Sequence, residues 1–136
     1  MRKVIIYGGA GFIGSALSSY LCTKGIEVWI VEKKGLRNES RYQQICLLPV
    51  HIIECDLEEI DSLEKIIGEH DFDTFYQFAW DGTNGNRLID YSAQLQFVNY
   101  VLKSIRVAKR MGCSDLLGLE VLLKKNYIVK MEEIMW

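Results

Sequence analysis

The chain has 136 residues, 49% hydrophobic and 25% charged, with a formal net charge of -2. That is one domain's worth of sequence with enough apolar material for a core, and the charge balance gives no case for a nucleic-acid partner. No stretch is apolar for long enough to span a bilayer, and Met1–Ile6 lack the parts of a signal peptide, so the cytoplasm is the default compartment. Cys22, Cys46, Cys55 and Cys113 have no CxxC spacing and read as buried, reduced thiols, while His51 and His70 lie too far apart to suggest a metal site.

In chain order, Lys3–Tyr7 is a short run rich in β-branched residues that stops at glycines, which predicts a buried strand. Phe12–Lys24 predicts a helix with Ile13, Ala16, Leu17, Tyr20 and Leu21 on its apolar face and Gly25 as its stop. Glu27–Glu32 predicts a second strand, Lys33–Ser40 a charged loop, Arg41–Leu48 a short helix closed by Pro49, and Val50–Cys55 a third strand. Asp61 and Glu64 have the spacing of a capping box, which predicts a helix to about Ile67 that closes at Gly68. Asp73–Ala79 reads as a fourth strand and Asp81–Asn86 as a turn-rich loop. A long helix from about Leu88 to Met111 carries the stripe Leu95, Val98, Leu102, Ile105 and Ala108. Strands alternating with helices require parallel pairing and right-handed crossovers, so the expected fold is an α/β Rossmann-type sheet of order 3-2-1-4 with helices on both faces and room for a fifth strand.

Gly8-Gly9-Ala10-Gly11-Phe12-Ile13-Gly14 joins the first strand to the first helix. Glycine is needed there for a sharp turn, for close approach of the backbone to a pyrophosphate and for tight helix–strand packing. The helix amides and the positive end of the dipole then hold the phosphates. Gly9, Gly11 and Gly14 fit GxGxxG, and Gly8, Gly11 and Gly14 fit GxxGxxG; a strand before and a helix after supply the context either motif requires. Glu32, at the end of the second strand, is placed to accept from ribose hydroxyls and to repel a 2′-phosphate. It favours NAD over NADP even with Lys33 and Lys34 beside it. Without a ligand in view, Asp56 also reads as a cap or turn residue, Gln77 and Asn99 as polar surface, and Trp29 and Trp80 as core or cleft wall.

Tyr7–Ser15 resembles the opening of the extended short-chain dehydrogenases/reductases, the NAD-dependent epimerase/dehydratase group, with Tyr7 in place of the usual Thr. Cys55-Asp56-Leu57 resembles the family's Asp-Leu after the third strand, whose Asp faces the adenine. Asp73–Trp80 resembles the fourth-strand segment Asp-x-Val-x-His-Leu-Ala-Ala, with Gln77 for the His and Trp80 for the second Ala. The resemblance covers about residues 1–113 as a dinucleotide-binding domain and leaves 114–136 as a divergent C-terminal tail. It implies cofactor contacts at Gly8, Gly11, Phe12, Ile13, Gly14, Glu32, Asp56, Leu57, Ala79 and Trp80. It further implies a nucleotide-sugar or similar substrate for a full-length relative, and, since family members often dimerise through the long helix and a later one absent here, a possible homodimer.

The family's catalytic Tyr-x-x-x-Lys pair sits on a later helix. The one such spacing here, Tyr20 to Lys24, lies on the first helix, where Tyr20 shares the apolar face and reads as core. Tyr127 and Lys130 are three apart and follow no serine strand, so no catalytic residue is assigned and the isolated chain is expected to be inactive. Ser114–Val121 departs from the family's serine-ended fifth strand. Codons exist for Asp115–Val121 whose second frame reads Phe-Ile-Gly-Ala-Gly-Ser, which suggests a frameshift after about residue 113. A gene without a second-frame extension carrying Tyr-x-x-x-Lys refutes it. The segment Val121–Trp136 is expected to form a helix. Two other readings use the same residues: a stand-alone dinucleotide-binding or sensing module, and a methyltransferase-like fold, against which Gly14 and the Asp56-Leu57 pair argue.

Overall fold

The computed structural model describes residues 2–80, 90–120 and 125–130. Six strands, β1 (Lys3–Tyr7), β2 (Glu27–Glu32), β3 (Val50–Glu54), β4 (Thr74–Gln77), β5 (Asp115–Glu120) and β6 (Lys125–Lys130), form one sheet in the order β3-β2-β1-β4-β5-β6. The first five are parallel and β6 runs antiparallel to β5. The helices are α1 (Phe12–Thr23), α2 (Ser40–Ile45), α3 (Leu63–Ile67) and α4 (Tyr91–Arg110), with a 3-10 turn over Leu57–Ser62. The expected order 3-2-1-4 and the fifth strand are both present.

The centre of the sheet is buried on both faces, as parallel strands must be. Ile5 and Tyr7 pack with Val31, Phe75 and Leu116 against Val107 and Ala108 of α4. Val4 and Ile6 pack with Val28, Ile30 and Tyr76 against Leu21 of α1 and Ile45 of α2. Each fully buried Ile or Val contributes about 1.5–3 kcal/mol relative to exposure, so β1 is the anchor from which the loops at the carboxyl edge are held.

Several local expectations are corrected. Helix α1 buries Gly14, Ser18 and Leu21, while Ile13 and Tyr20 are 48% and 58% exposed. The helix lies too close to the β1 turn for a large side chain, so small residues face the sheet. The Ser18 hydroxyl is satisfied within the helix by donating to the Gly14 carbonyl at 2.7 Å. Tyr20 is therefore surface, with Lys24 Nζ 5.3 Å from its ring centre.

Helix α4 buries Phe97, Tyr100, Ser104, Val107 and Ala108, and leaves Leu95, Val98 and Leu102 of the expected stripe exposed. This helix has two apolar stripes, and the one carrying the aromatics removes more surface from water, so it faces the sheet. The expected start of α4 near Leu88 and the Asp81–Asn86 loop lie outside the described residues.

The capping box is formed by Asp56 and Glu59, not by Asp61 and Glu64; Ser62 precedes α3 with no side-chain cap. The chain turns helical directly after β3, so the first Asp-x-x-Glu spacing it reaches makes the reciprocal bonds. The helix expected over Val121–Trp136 is contradicted at Lys125–Lys130, which is strand β6. Its Tyr-Ile-Val run has strand propensity, and the open edge of β5 presents backbone groups that need partners. Cys55 and Cys113 are buried thiols, whereas Cys46 is exposed and Cys22 is half-buried. Burial pushes the Cys113 thiol up to about 12.

Candidate functional site

The carboxyl ends of β1, β2 and β4 meet at the glycine-rich turn. Gly8 has φ +91°, and a Cβ there would stand 2.7 Å from the Ala79 amide nitrogen. The turn is tied on both sides: the Gly8 amide donates to Val31 of β2 at 2.8 Å, and the Ala79 amide donates to Tyr7 at 2.9 Å. Gly14 faces the same bend from α1, where a Cβ would lie 2.7 Å from Gly9 Cα and closer still to the Gly8 carbonyl oxygen. Gly11 is the N-cap of α1 in extended conformation, and no side chain caps the helix. The first-turn amides thus point out of the fold together with the positive end of the helix dipole, an arrangement suited to an anion. Phe12 is 76% exposed at that mouth, beside half-exposed Ile13.

Glu32 is 6% exposed and its Oε1 accepts from the Ala10 amide at 2.6 Å. It therefore bonds inward, fastening the glycine turn to the end of β2. Burial raises its carboxyl above the usual range, outweighing the Ala10 and Lys33 amides that donate to it and the Lys33 charge. Ala10 had no signal in the sequence, because a backbone amide contributes the bond whatever the side chain.

Asp56 follows β3. Its Oδ1 accepts from the Lys34 amide at 2.9 Å, and Lys34 Nζ pairs with Glu59 at 2.8 Å. The capping role that Asp56 offered in sequence is thus present, and its carboxylate also holds the loop after β2. The Lys34 ammonium beside Glu59 draws that carboxyl below its usual range. With Lys34 engaged in this pair, Lys33 is the lysine of the two that lines the cleft described next.

That cleft, of about 450 Å³, opens between this region and α4; Lys33, Asp56, Leu57 and Glu58 line one side, Phe97 and Tyr100 the other. Trp80 stacks on Phe97, one of the lining residues, with ring centres 5.1 Å apart. The structure thus places all ten sequence-predicted positions along the carboxyl edge, in two groups. Gly8, Gly11, Phe12, Ile13, Gly14, Glu32 and Ala79 surround the turn after β1. Asp56 and Leu57 line the cleft, and Trp80 reaches it through Phe97.

Gln77 corrects a sequence reading: it is 3% exposed, not polar surface. Its Nε2 donates to the Ala79 carbonyl at 3.0 Å. A polar residue between Tyr76 and Phe78 in a largely apolar strand is the available signal. Asn99 is exposed, as that reading had it. Among the described residues no helix is long and apolar enough to cross a membrane, and no three His, Cys, Asp or Glu side chains form a group able to hold a metal ion.

The NAD dependent epimerase/dehydratase family model matches residues 4–118, so the likeness continues past Cys113 into β5. A UDP-N-acetyl-alpha-D-glucosaminuronate decarboxylase from Bacillus cytotoxicus is 31% identical over 70 residues, 52% of this chain and 22% of that protein. An epimerase from Methanothermobacter thermautotrophicus superposes with a TM-score of 0.66 at 22% identity, covering 86% of this chain and 34% of its own. A Thermus thermophilus UDP-glucose 4-epimerase in complex with NAD gives 0.64 at 19% identity, covering 85% and 36%. At these identities the two structures establish the fold alone, and the chain spans between 22% and 36% of the length of the three proteins.

Proposed function

Because this chain belongs to the NAD-dependent epimerase/dehydratase family, we propose that its carboxyl edge binds NAD(H) and that the family reaction it serves acts on a nucleotide sugar. The diphosphate lies on the α1 amides at Phe12, Ile13 and Gly14, and Glu32 grips the adenosine ribose. Asp56 and Leu57 hold the adenine, and Ala79 and Trp80 wall the nicotinamide half. The cofactor supplies hydride exchange when bound; the residues of this chain bind and orient it. One observation carries the reading: Gly8 and Gly14 close the β1–α1 bend on backbone alone, beneath an uncapped helix. The nucleotide-sugar part is supported by the UDP-sugar named in the Bacillus relative and in the Thermus neighbour.

We assign no catalytic acid/base pair to this chain. Tyr20 and Lys24 sit near the far end of α1, about 12 and about 18 Å along the helix from Phe12. The segment 114–136 is read as a divergent tail, and a frameshift after about residue 113 remains the proposal for its origin. Purified chain is expected to change NADH fluorescence on titration, with no competition from S-adenosylmethionine, and to show no turnover with nucleotide sugars. Competition by S-adenosylmethionine would point to the methyltransferase-like reading. Turnover would refute the inactivity of the isolated chain, and binding without it is what a dinucleotide-binding or sensing module also requires.

A homodimer through α4 belongs to the same proposal. Tyr91, Leu95, Val98 and Leu102 are 84%, 69%, 49% and 52% exposed and follow one another at steps of four, three and four, the spacing of a helix-packing seam. Sedimentation is expected to show a dimer that Leu95→Glu converts to monomer; a monomer at high concentration in the unsubstituted protein counts against it.

A further inference from the structure

Alternation along β4 places Gln77 on the same face as Phe75, beneath α4. In the sheet it stands between Tyr7 of β1 and Gly118 of β5. Its Oε1 is buried and has no hydrogen-bond partner among the described residues, although its Nε2 is bonded to the Ala79 carbonyl. An orphaned buried acceptor is a net cost to the fold, and an apolar side chain of equal length would avoid it. What only the amide provides is a buried donor at Ala79, the residue whose own amide is tied to Tyr7 and whose nitrogen abuts Gly8.

We infer that Gln77 is a positioning residue: its Nε2–Ala79 bond sets the backbone at the exit of β4 against which the nicotinamide half of the cofactor lies, at the expense of an unpaired Oε1. The inference rests on the dinucleotide reading above. In a sheet of order 3-2-1-4-5 the two halves of a dinucleotide lie on either side of the switch point at β1, with the adenosine toward β2 and β3. Gln77 acts on the opposite side, so its effect falls chiefly on the nicotinamide half.

The test is Gln77→Met, with the melting temperature and the affinities for NADH and for ADP measured on the same preparations. ADP spans the adenosine and diphosphate contacts only. The expected result is a melting temperature equal to or above that of the unsubstituted protein, NADH binding weakened about tenfold and ADP binding unchanged. A lower melting temperature with both ligands weakened in parallel makes Gln77 a structural residue and overturns the inference. An unchanged NADH affinity overturns it as well. If the unsubstituted protein binds neither ligand, the dinucleotide reading itself fails and takes this role with it.

Discussion

Gly14→Ala is expected to destabilise the fold by about 3 kcal/mol, near the upper end of ordinary overpacking costs, and to abolish NADH binding. The added methyl group would meet only backbone: Gly9 Cα at 2.7 Å and the Gly8 carbonyl oxygen nearer than that. Neither atom can rotate away as a side chain would, so α1 has to move off β1. That movement opens the contacts of Ser18 and Leu21, the other buried residues of the helix. Gly11→Ala is the internal control. Its Cβ would stand 3.2 Å from the Gly8 carbonyl oxygen, and φ at Gly11 is an ordinary -70°. It is expected to cost under about 1 kcal/mol of fold stability, whatever it does to a bound phosphate. Urea denaturation midpoints check both; equal losses from the two substitutions would show that α1 is not held by the contact at Gly14.

Glu32→Gln is expected to weaken NADH about tenfold or more while leaving the apo fold as stable as before, and to erase the preference for NADH over NADPH. The affinity loss reflects charge-assisted hydrogen bonds to ribose hydroxyls, which contribute about 1.5–3 kcal/mol. The stability expectation follows from burial. The carboxyl titrates above its usual range when folded, so the folded state holds that proton more tightly than the unfolded chain. Its contribution to stability is fully present below the unfolded pKa and is lost as pH rises through the folded one. Glutamine has no proton to lose over that rise, and its side-chain oxygen can still accept from Ala10. Denaturation followed upward from the ordinary carboxylate pKa should show a decline in the parent that is absent in the variant. A variant that keeps the parent's discrimination between NADH and NADPH would show that Glu32 serves the loop alone.

These two residues also show how far sequence reading reaches. Gly14 and Glu32 were legible because each is constrained by its position on the chain: a glycine three residues into a helix that follows a strand, and an acid that ends the next strand. Their consequences were only partly legible. That Glu32 fastens Ala10 depends on β2 lying beside β1 in the register Tyr7–Val31, a pairing between segments distant in sequence. Gln77 was misplaced on the surface because its burial comes from α4 crossing above β4.

The helices make the same point through their faces. Leu95, Val98 and Leu102 form a real apolar stripe, but Phe97, Tyr100 and Val107 form another, and periodicity alone does not rank them. In α1 the larger apolar residues lost the inward face to Gly14 and Ser18, because the distance to β1 was set by the glycine turn. Composition predicts a helix for the tail, and only pairing with the edge of β5 accounts for a strand over Lys125–Lys130.

By itself the sequence determined the strands and α-helices in order up to α4, though not the 3-10 turn after β3, together with the parallel sheet they require and the glycine bend with its acid. Those features follow from contacts within a few residues and from the limits on how strands can be joined. The tertiary structure decided which helix faces are buried, which Asp-x-x-Glu forms the cap, where Glu32 and Gln77 direct their hydrogen bonds, and that a sixth strand closes the sheet. Each of these is a choice between locally equivalent options, made by packing between segments that no local pattern relates.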